Sequence, residues 1–179
     1  MLFTFMMATL DGYYEGPNQE FDWPVVDEEF TEFSNDQLDS VEALMFGRVT
    51  YEGMYAYWTA PQTVRDDPGT ASRMNTRPKV VVSSTLASAD WPGTVLLRGS
   101  AEVADLKRRT AEDIAILGSS TLTARLLAAG LVDELRVMIA PVLLGAGRSI
   151  FHSAERASLS LKETRRFGSG NVLLTYRTG

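Results

Sequence analysis

No cysteine occurs among the 179 residues, which excludes disulfides and thiolate-bound metals at the outset. Histidine occurs once, so a histidine-rich metal cluster cannot be built either. No run of about eighteen apolar residues exists, and a membrane-spanning helix is not expected. A basic block is also missing: 17 Lys and Arg stand against 23 Asp and Glu, for a net charge of −6. Nucleic-acid binders carry a cationic footprint, so that partner is not expected. The start, "MLFTFMMATLDGYYEG", has no basic leader and no small-residue cleavage site. It reads as a buried strand rather than a signal peptide, and the expected location is the cytoplasm. Repeats and low-complexity tracts are absent.

What remains is the composition of one globular domain, 1–179, with 45% hydrophobic and 22% charged residues. Short apolar runs alternate with stretches of helical period, the pattern of strands and helices around a largely parallel sheet. "LFTFMMATL" predicts a first strand ending at the Asp11-Gly12 turn, and "DEEFTEFSNDQL" a helix. "EALMF" predicts a second strand, and Tyr51, Tyr55 and Trp58 form one stripe of a helix from Thr50 to Trp58. Asp66 to Arg77 is polar, with a turn at "DDPG", and is expected to be the least ordered part. "KVVVSSTL", "GTVLLRG", "DIAILGSS" and "DELRVMIAPVLLGAG" predict further strands. Ser100 is expected to cap one helix and Gly130 to end another. The final segment alternates around "GSGN", a hairpin signal, which places antiparallel strands at the sheet edge.

Three strand ends carry the chemistry: "FGRVT" at 46–50, "VSST" at 82–85 and "LGSST" at 117–121. Open α/β sheets bind ligands beyond the carboxyl ends of their strands, where helix N-termini present unpaired N–H groups. Gly47 and Gly118 permit close backbone approach, and Thr50, Ser119 and Ser120 stand at helix starts. Arg48 offers a planar fork suited to a phosphate monoester. Together they describe a site for a dinucleotide with a pyrophosphate and an extra phosphate. Taken singly, each is also what an ordinary turn, cap or solvated charge looks like, and "LGAG" at 144–147 is no dinucleotide fingerprint.

"ALMFGRVTYEGM", "KVVVSSTL" and "IAILGSSTLTARLLAAGLVDELRVMIAPVLLGAGRSIF" resemble the dihydrofolate reductase superfamily. The closer resemblance is to the C-terminal reductase domain of the bifunctional riboflavin-biosynthesis deaminase/reductase (the RibD C-terminal family) and its stand-alone bacterial relatives. It covers nearly the whole chain in order. It implies a three-layer α/β/α dihydrofolate reductase-like fold and an NADPH-dependent reductase. Carried over by this resemblance, Gly47, Arg48 and Thr50 hold NADPH, with Arg48 near the 2′-phosphate. Ser83 and Ser84 lie beside the adenosine, and Gly118, Ser119, Ser120 and Thr121 run along the pyrophosphate. Folate reductases have three consecutive glycines, or two and a small residue, at that last turn; here one Gly is followed by Ser-Ser, and hydroxyls are expected to substitute. The resemblance also implies a homodimer.

Hydride transfer needs orientation and a proton for the reduced atom. Asp27, at the start of the first helix, and Asp11, in "LDG", are the candidate proton donors; each reads equally as a helix-start or turn residue. Phe21 and Trp23 lie in a Pro-containing loop, where one of them, with Trp23 the candidate, is expected to line a substrate pocket. Arg148 is either a contact to a substrate phosphate or a surface charge. Tyr51, Tyr55 and Trp58 are expected to pack, His152 to be uninvolved, and "DEEFTE" to be a solvated face and not a metal site. The resemblance implies a small heterocyclic or carbonyl substrate, a pterin, flavin precursor or related compound, similar to that of 5-amino-6-(5-phosphoribosylamino)uracil reductase. A non-catalytic ligand-binding module and a flavoprotein using the same cleft are the alternatives.

Overall fold

The computed structural model describes residues 1–179, and its first strand already explains its layering. Along β1 (Leu2–Thr9), Phe3 and Phe5 enter one apolar core while Leu2 enters another. Strand side chains alternate between faces, so a strand apolar on both must be covered on both. β3 (Val41–Gly47), β4 (Lys79–Val82) and β6 (Asp113–Leu117) divide in the same way. Leu44, Phe46, Val81 and Leu117 join the first core; Met45, Val80, Ile114 and Ile116 join the second. On the first face, α1 (Glu28–Asp39), α2 (Arg48–Trp58) and α4 (Pro68–Thr76) contribute Phe30, Leu38, Tyr51 and Met74. On the second, α5 (Ser100–Arg109) and α6 (Ser120–Ala128) contribute Val103, Leu122 and Leu126. The three-layer α/β/α arrangement follows. No helix is long and apolar enough to cross a membrane.

The sheet has eight strands in the order β5-β4-β3-β6-β1-β7-β10-β9. Its remaining members are β5 (Thr94–Leu97), β7 (Glu134–Ala140), β9 (Leu159–Arg166) and β10 (Val172–Thr178). Every pair from β5 to β7 is parallel, and only β10 runs against its neighbours. The chain steps from β1 out to β5 and then returns with β6 between β3 and β1. Strand order reverses there, which opens a crevice beyond the carboxyl ends.

Four expectations need correction. Asp66 to Arg77, expected to be the least ordered part, instead carries the helix α4, and a further helix, α3 (Pro61–Asp66), precedes it. Each starts with proline at its first turn, where a missing N–H costs nothing, and the Asp67 carboxylate caps α4 by accepting from Thr70 N–H. The helix predicted from Thr50 begins at Arg48, so Gly47 is its N-cap. Ser100 is the first residue of α5 and not its cap, which is Gly99. The strand expected over "DELRVMIAPVLLGAG" stops at Ala140, before Pro141. Gly130 follows the end of α6 and "GSGN" makes the β9–β10 hairpin, as expected. A two-stranded ribbon of β2 (Tyr13–Glu15) with β8 (Arg148–Ser149) is additional.

Trp91 is the largest fully buried side chain and fixes α2 to the sheet. Its ring lies 6.0 Å from Phe46 and from Tyr51 and 5.7 Å from Tyr55. Its backbone N–H donates to the Tyr51 hydroxyl at 2.8 Å, and its indole N–H to Asn75 at 2.8 Å. The predicted packing role of Tyr51 and Tyr55 is met, with Trp58 packed against the same core. Beside this cluster the buried Lys79 ammonium stands 4.7 Å over the Trp91 ring and donates to the carbonyls of Asn75, Arg77 and Pro92. Burial pushes its pKa down from 10.5 to about 8.

Candidate active site

The sheet order sets β4, β3 and β6 side by side, so the three strand ends singled out from the sequence are neighbours along one edge. At the β3 end, Gly47 is the N-cap of α2 and supplies no side-chain cap. At the β6 end, Ser119 is the N-cap of α6 in a left-handed conformation (φ 55°, ψ 56°). Its hydroxyl does not cap its own helix; it accepts from the Gly47 N–H at 2.8 Å. One serine thus ties the two loops together and leaves the first amides of both helices without a side-chain acceptor. Each helix start carries the partial positive charge of its dipole.

Gly118 has φ +61°, and a Cβ there would meet Thr50 Cγ2 at 3.4 Å. A side chain at that position would be strained and would narrow the gap between the loops. Ser120, the first residue of α6, is 3% exposed, and its hydroxyl has no hydrogen-bond partner. A buried hydroxyl without a partner is costly unless a ligand or water supplies one. Thr121 is exposed. Uncapped amides, a partnerless hydroxyl and a left-handed turn fit a pyrophosphate cradle.

Arg48 opens α2 with its guanidinium half-exposed and paired to Glu52 one turn on, at 2.9 Å. Ser83 is buried, and its hydroxyl accepts from the N–H groups of Thr85 (3.2 Å) and Leu86 (3.0 Å). It therefore builds the turn after β4, while Ser84 is exposed on that turn. Arg98, which the sequence reading passed over, reaches across from the end of β5 and donates to the carbonyls of Ser83 (3.2 Å) and Leu86 (2.7 Å). Only its place after an apolar strand could have flagged it.

The other proposed site residues lie further along the same edge, beyond β1, β7 and β10. The Asp11 carboxylate accepts from Thr9 Oγ1 (2.5 Å), Gly145 N–H (2.8 Å) and Leu144 N–H (3.3 Å). These donors, Thr9 foremost, hold its carboxyl below the usual carboxylate range. The Asp11 carboxylate thereby clamps the loop after β7, which is what the turn-residue reading of this position expects. Asp27 is the N-cap of α1, with Oδ1 accepting from Phe30 N–H at 2.8 Å and Oδ2 left without a protein donor. Trp23 is 9% exposed, and its indole N–H has no partner. Asn171, fully buried at the hairpin turn, donates to the Val25 carbonyl at 3.0 Å, while its own Oδ1 lacks a donor. It holds the loop that carries Trp23 and Asp27. Arg148 is not free: its Nε lies 3.1 Å from Glu15, and Nη1 donates to the Tyr14 hydroxyl at 3.2 Å. His152 meets only the Ser149 carbonyl, and no cluster of acidic or histidine ligands is placed to hold a metal.

The model of the RibD C-terminal domain family matches residues 1–173. The chain belongs to that family. The uncharacterised protein YyaP of Bacillus subtilis is 31% identical, covering 96% of this chain and 91% of its own. Among solved structures, a putative riboflavin biosynthesis protein from Shewanella sp. PV-4 superimposes with a TM-score of 0.75 at 20% identity, covering 99% of this chain and 98% of that one. Dihydrofolate reductase from Enterococcus faecalis, complexed with NADP(H), reaches a TM-score of 0.70 at 16% identity, covering 100% and 96%. The RibD C-terminal fold is thereby shared with reductase-type enzymes. In this chain Ser119 stands between the two helix starts.

Proposed function

We propose that this RibD C-terminal protein is a cytoplasmic, NADPH-dependent reductase of a small heterocyclic or carbonyl compound, such as a pterin or flavin precursor. The observation that carries the reading is the pair of uncapped helix starts, α2 and α6, joined through Ser119 beside the partnerless Ser120 hydroxyl. In this reading Gly47, Thr50 and residues 118–121 hold the pyrophosphate through amides and hydroxyls. Ser83 fixes the turn that presents Ser84 to the adenosine end. Arg48 takes the 2′-phosphate by exchanging its Glu52 partner for a better acceptor. The bound nicotinamide supplies the hydride. Trp23 and the loop fixed by Asn171 orient the substrate, and Asp27 Oδ2, which no protein donor occupies, handles the proton. The expected partners are the small molecule and a second copy of the chain, met along the outer strand β9, whose eight residues are all exposed.

A second reading, a binding module without turnover, is favoured by both candidate acids having structural work, Asp11 as a clamp and Asp27 as a cap. Titration of the protein into NADPH, followed by nicotinamide fluorescence, tests the shared part. Loss of the reduced-nicotinamide absorbance across a panel of pterins, flavin precursors and carbonyl compounds then separates the two. Binding without oxidation of cofactor supports the module; no binding removes both.

A further inference from the structure

We infer that the compound reduced at this site is unphosphorylated and either uncharged or cationic, an inference that rests on the reductase reading above. None of the chain's 17 Lys and Arg precedes Arg48, whereas 11 of its 23 Asp and Glu do. The first 47 residues thus carry −11 and the remainder +5, which together give the net −6. That first segment builds the substrate side: the end of β1, the loop over residues 10–27, and α1 with Asp27 at its cap.

Seven carboxylates lie between residues 10 and 29, at positions 11, 15, 20, 22, 27, 28 and 29. Ion pairs bring in only two cations, Arg148 to Glu15 and Arg165 to Glu29, each at 3.1 Å. Arg148 borders a cleft of about 320 Å³ together with Glu15, Pro17 and Gln19. A phosphate entering that cleft would have to displace Glu15 from Arg148, on a segment where seven carboxylates are ion-paired to two cations only. No other guanidinium or ammonium forms an ion pair with the segment.

The groups that do lack partners suit a neutral ring. Trp23 offers a buried indole N–H donor and Asn171 a buried amide acceptor, and the Asn171–Val25 hydrogen bond links the segments that carry them. Leu10, Phe21, Val26 and Leu143 leave apolar surface exposed on the same loops. The Leu10 N–H donates to the Val142 carbonyl at 2.9 Å, which joins two of these loops. Apolar contact, one donor and one acceptor amid negative charge select a planar heterocycle that carries no phosphate.

Matched pairs test this on the intact chain saturated with NADPH, by isothermal titration calorimetry. The pairs are riboflavin with flavin mononucleotide, 5-amino-6-ribosylaminouracil with its 5′-phosphate, and dihydroneopterin with its monophosphate. The unphosphorylated member of a pair that binds is expected to bind about tenfold tighter or more, and the gap to shrink as salt is raised. Asp22→Lys, at an exposed carboxylate that makes no hydrogen bond or ion pair, is expected to narrow the gap in the same direction. A phosphorylated member that binds as tightly as its partner overturns the inference. So does the failure of every unphosphorylated member to bind the NADPH-loaded protein. Failure of NADPH itself, read in the first titration before any pair is added, removes the reductase reading and the inference with it.

Discussion

The proposed cofactor side and the proposed substrate side of this protein are held by different physics. Around residues 46–91 the framework is packing: Trp91 against Phe46, Tyr51 and Tyr55, with an ammonium over the indole. Around residues 10–29 it is carboxylates accepting backbone N–H groups. Asp11 takes Leu144 and Gly145, Glu20 takes Asn18, Asp27 takes Phe30, and Glu29 takes Gly168. Packing is indifferent to pH and tolerant of salt, while carboxylate clamps are neither. The first half is held by packing, and the clamped half is made of loops whose order depends on charge.

Removing the centre of the packed half should have the largest effect. Trp91→Ala is expected to lower stability by about 3–5 kcal/mol, measured by urea unfolding, as for other large-to-small core changes. A cost below about 1 kcal/mol would show that the aromatic cluster does not hold that half. On the other side, Asp27→Asn keeps a good N-cap but cannot pass a proton. Turnover should fall by about 10²–10⁴-fold, with NADPH binding unchanged in fluorescence titration. Asp11→Asn should instead reduce turnover only a few-fold and leave the pH profile in place, because its carboxylate is a clamp. The reverse pattern would exchange their roles. Arg48→Ala should weaken NADPH by roughly 1.5–3 kcal/mol, about one to two decades, and NADH much less. Equal weakening of both cofactors would show that Arg48 does not read the extra phosphate.

The smallest effects lie in the pH dependence, where stability rises with pH on both sides but in different windows. Asp11 and Glu29 have folded-state pKa values below their ordinary 3.8 and 4.5, because hydrogen bonds stabilise their anions. Their contribution is complete above those values and is lost as pH falls through the lower folded ones. Lys79 is depressed from 10.5 to about 8, so burying its charge costs stability below pH 8. That cost is relieved as pH rises from about 8 to 10.5, because the folded state releases its proton first. Hydrogen exchange should therefore quicken at Leu144, Gly145 and Gly168 on acidification before it changes around Trp91. Lys79→Met should abolish the alkaline gain in thermal stability. Uniform acid loosening of both halves would erase the contrast.

The sequence carried the sheet well, because apolar runs of strand length and helix-period stripes are local signals. The two helices at 61–76 were hidden by their own start signals: Pro61 and Pro68 sit in first turns, and "DDPG" imitates a loop where Asp67 is a cap. The three strand tips were legible as residue types, and their adjacency follows from the order β4-β3-β6. The bond from Gly47 to Ser119 spans 72 positions and was not legible. Nor were the commitments of Ser83, Asp11 and Arg148, since a residue type does not reveal which neighbour has already claimed it.

Lys79 behaves as a tethered counter-ion: three carbonyls surround it as they would a monovalent metal, yet no chelator can withdraw it. The chain has two other lysines, Lys107 and Lys162, and both are partly reachable from solvent. An acylating reagent should mark those two quickly and the third only when the corner beneath Trp91 comes apart. The lag at the third site is then a clock for how often this half of the molecule opens.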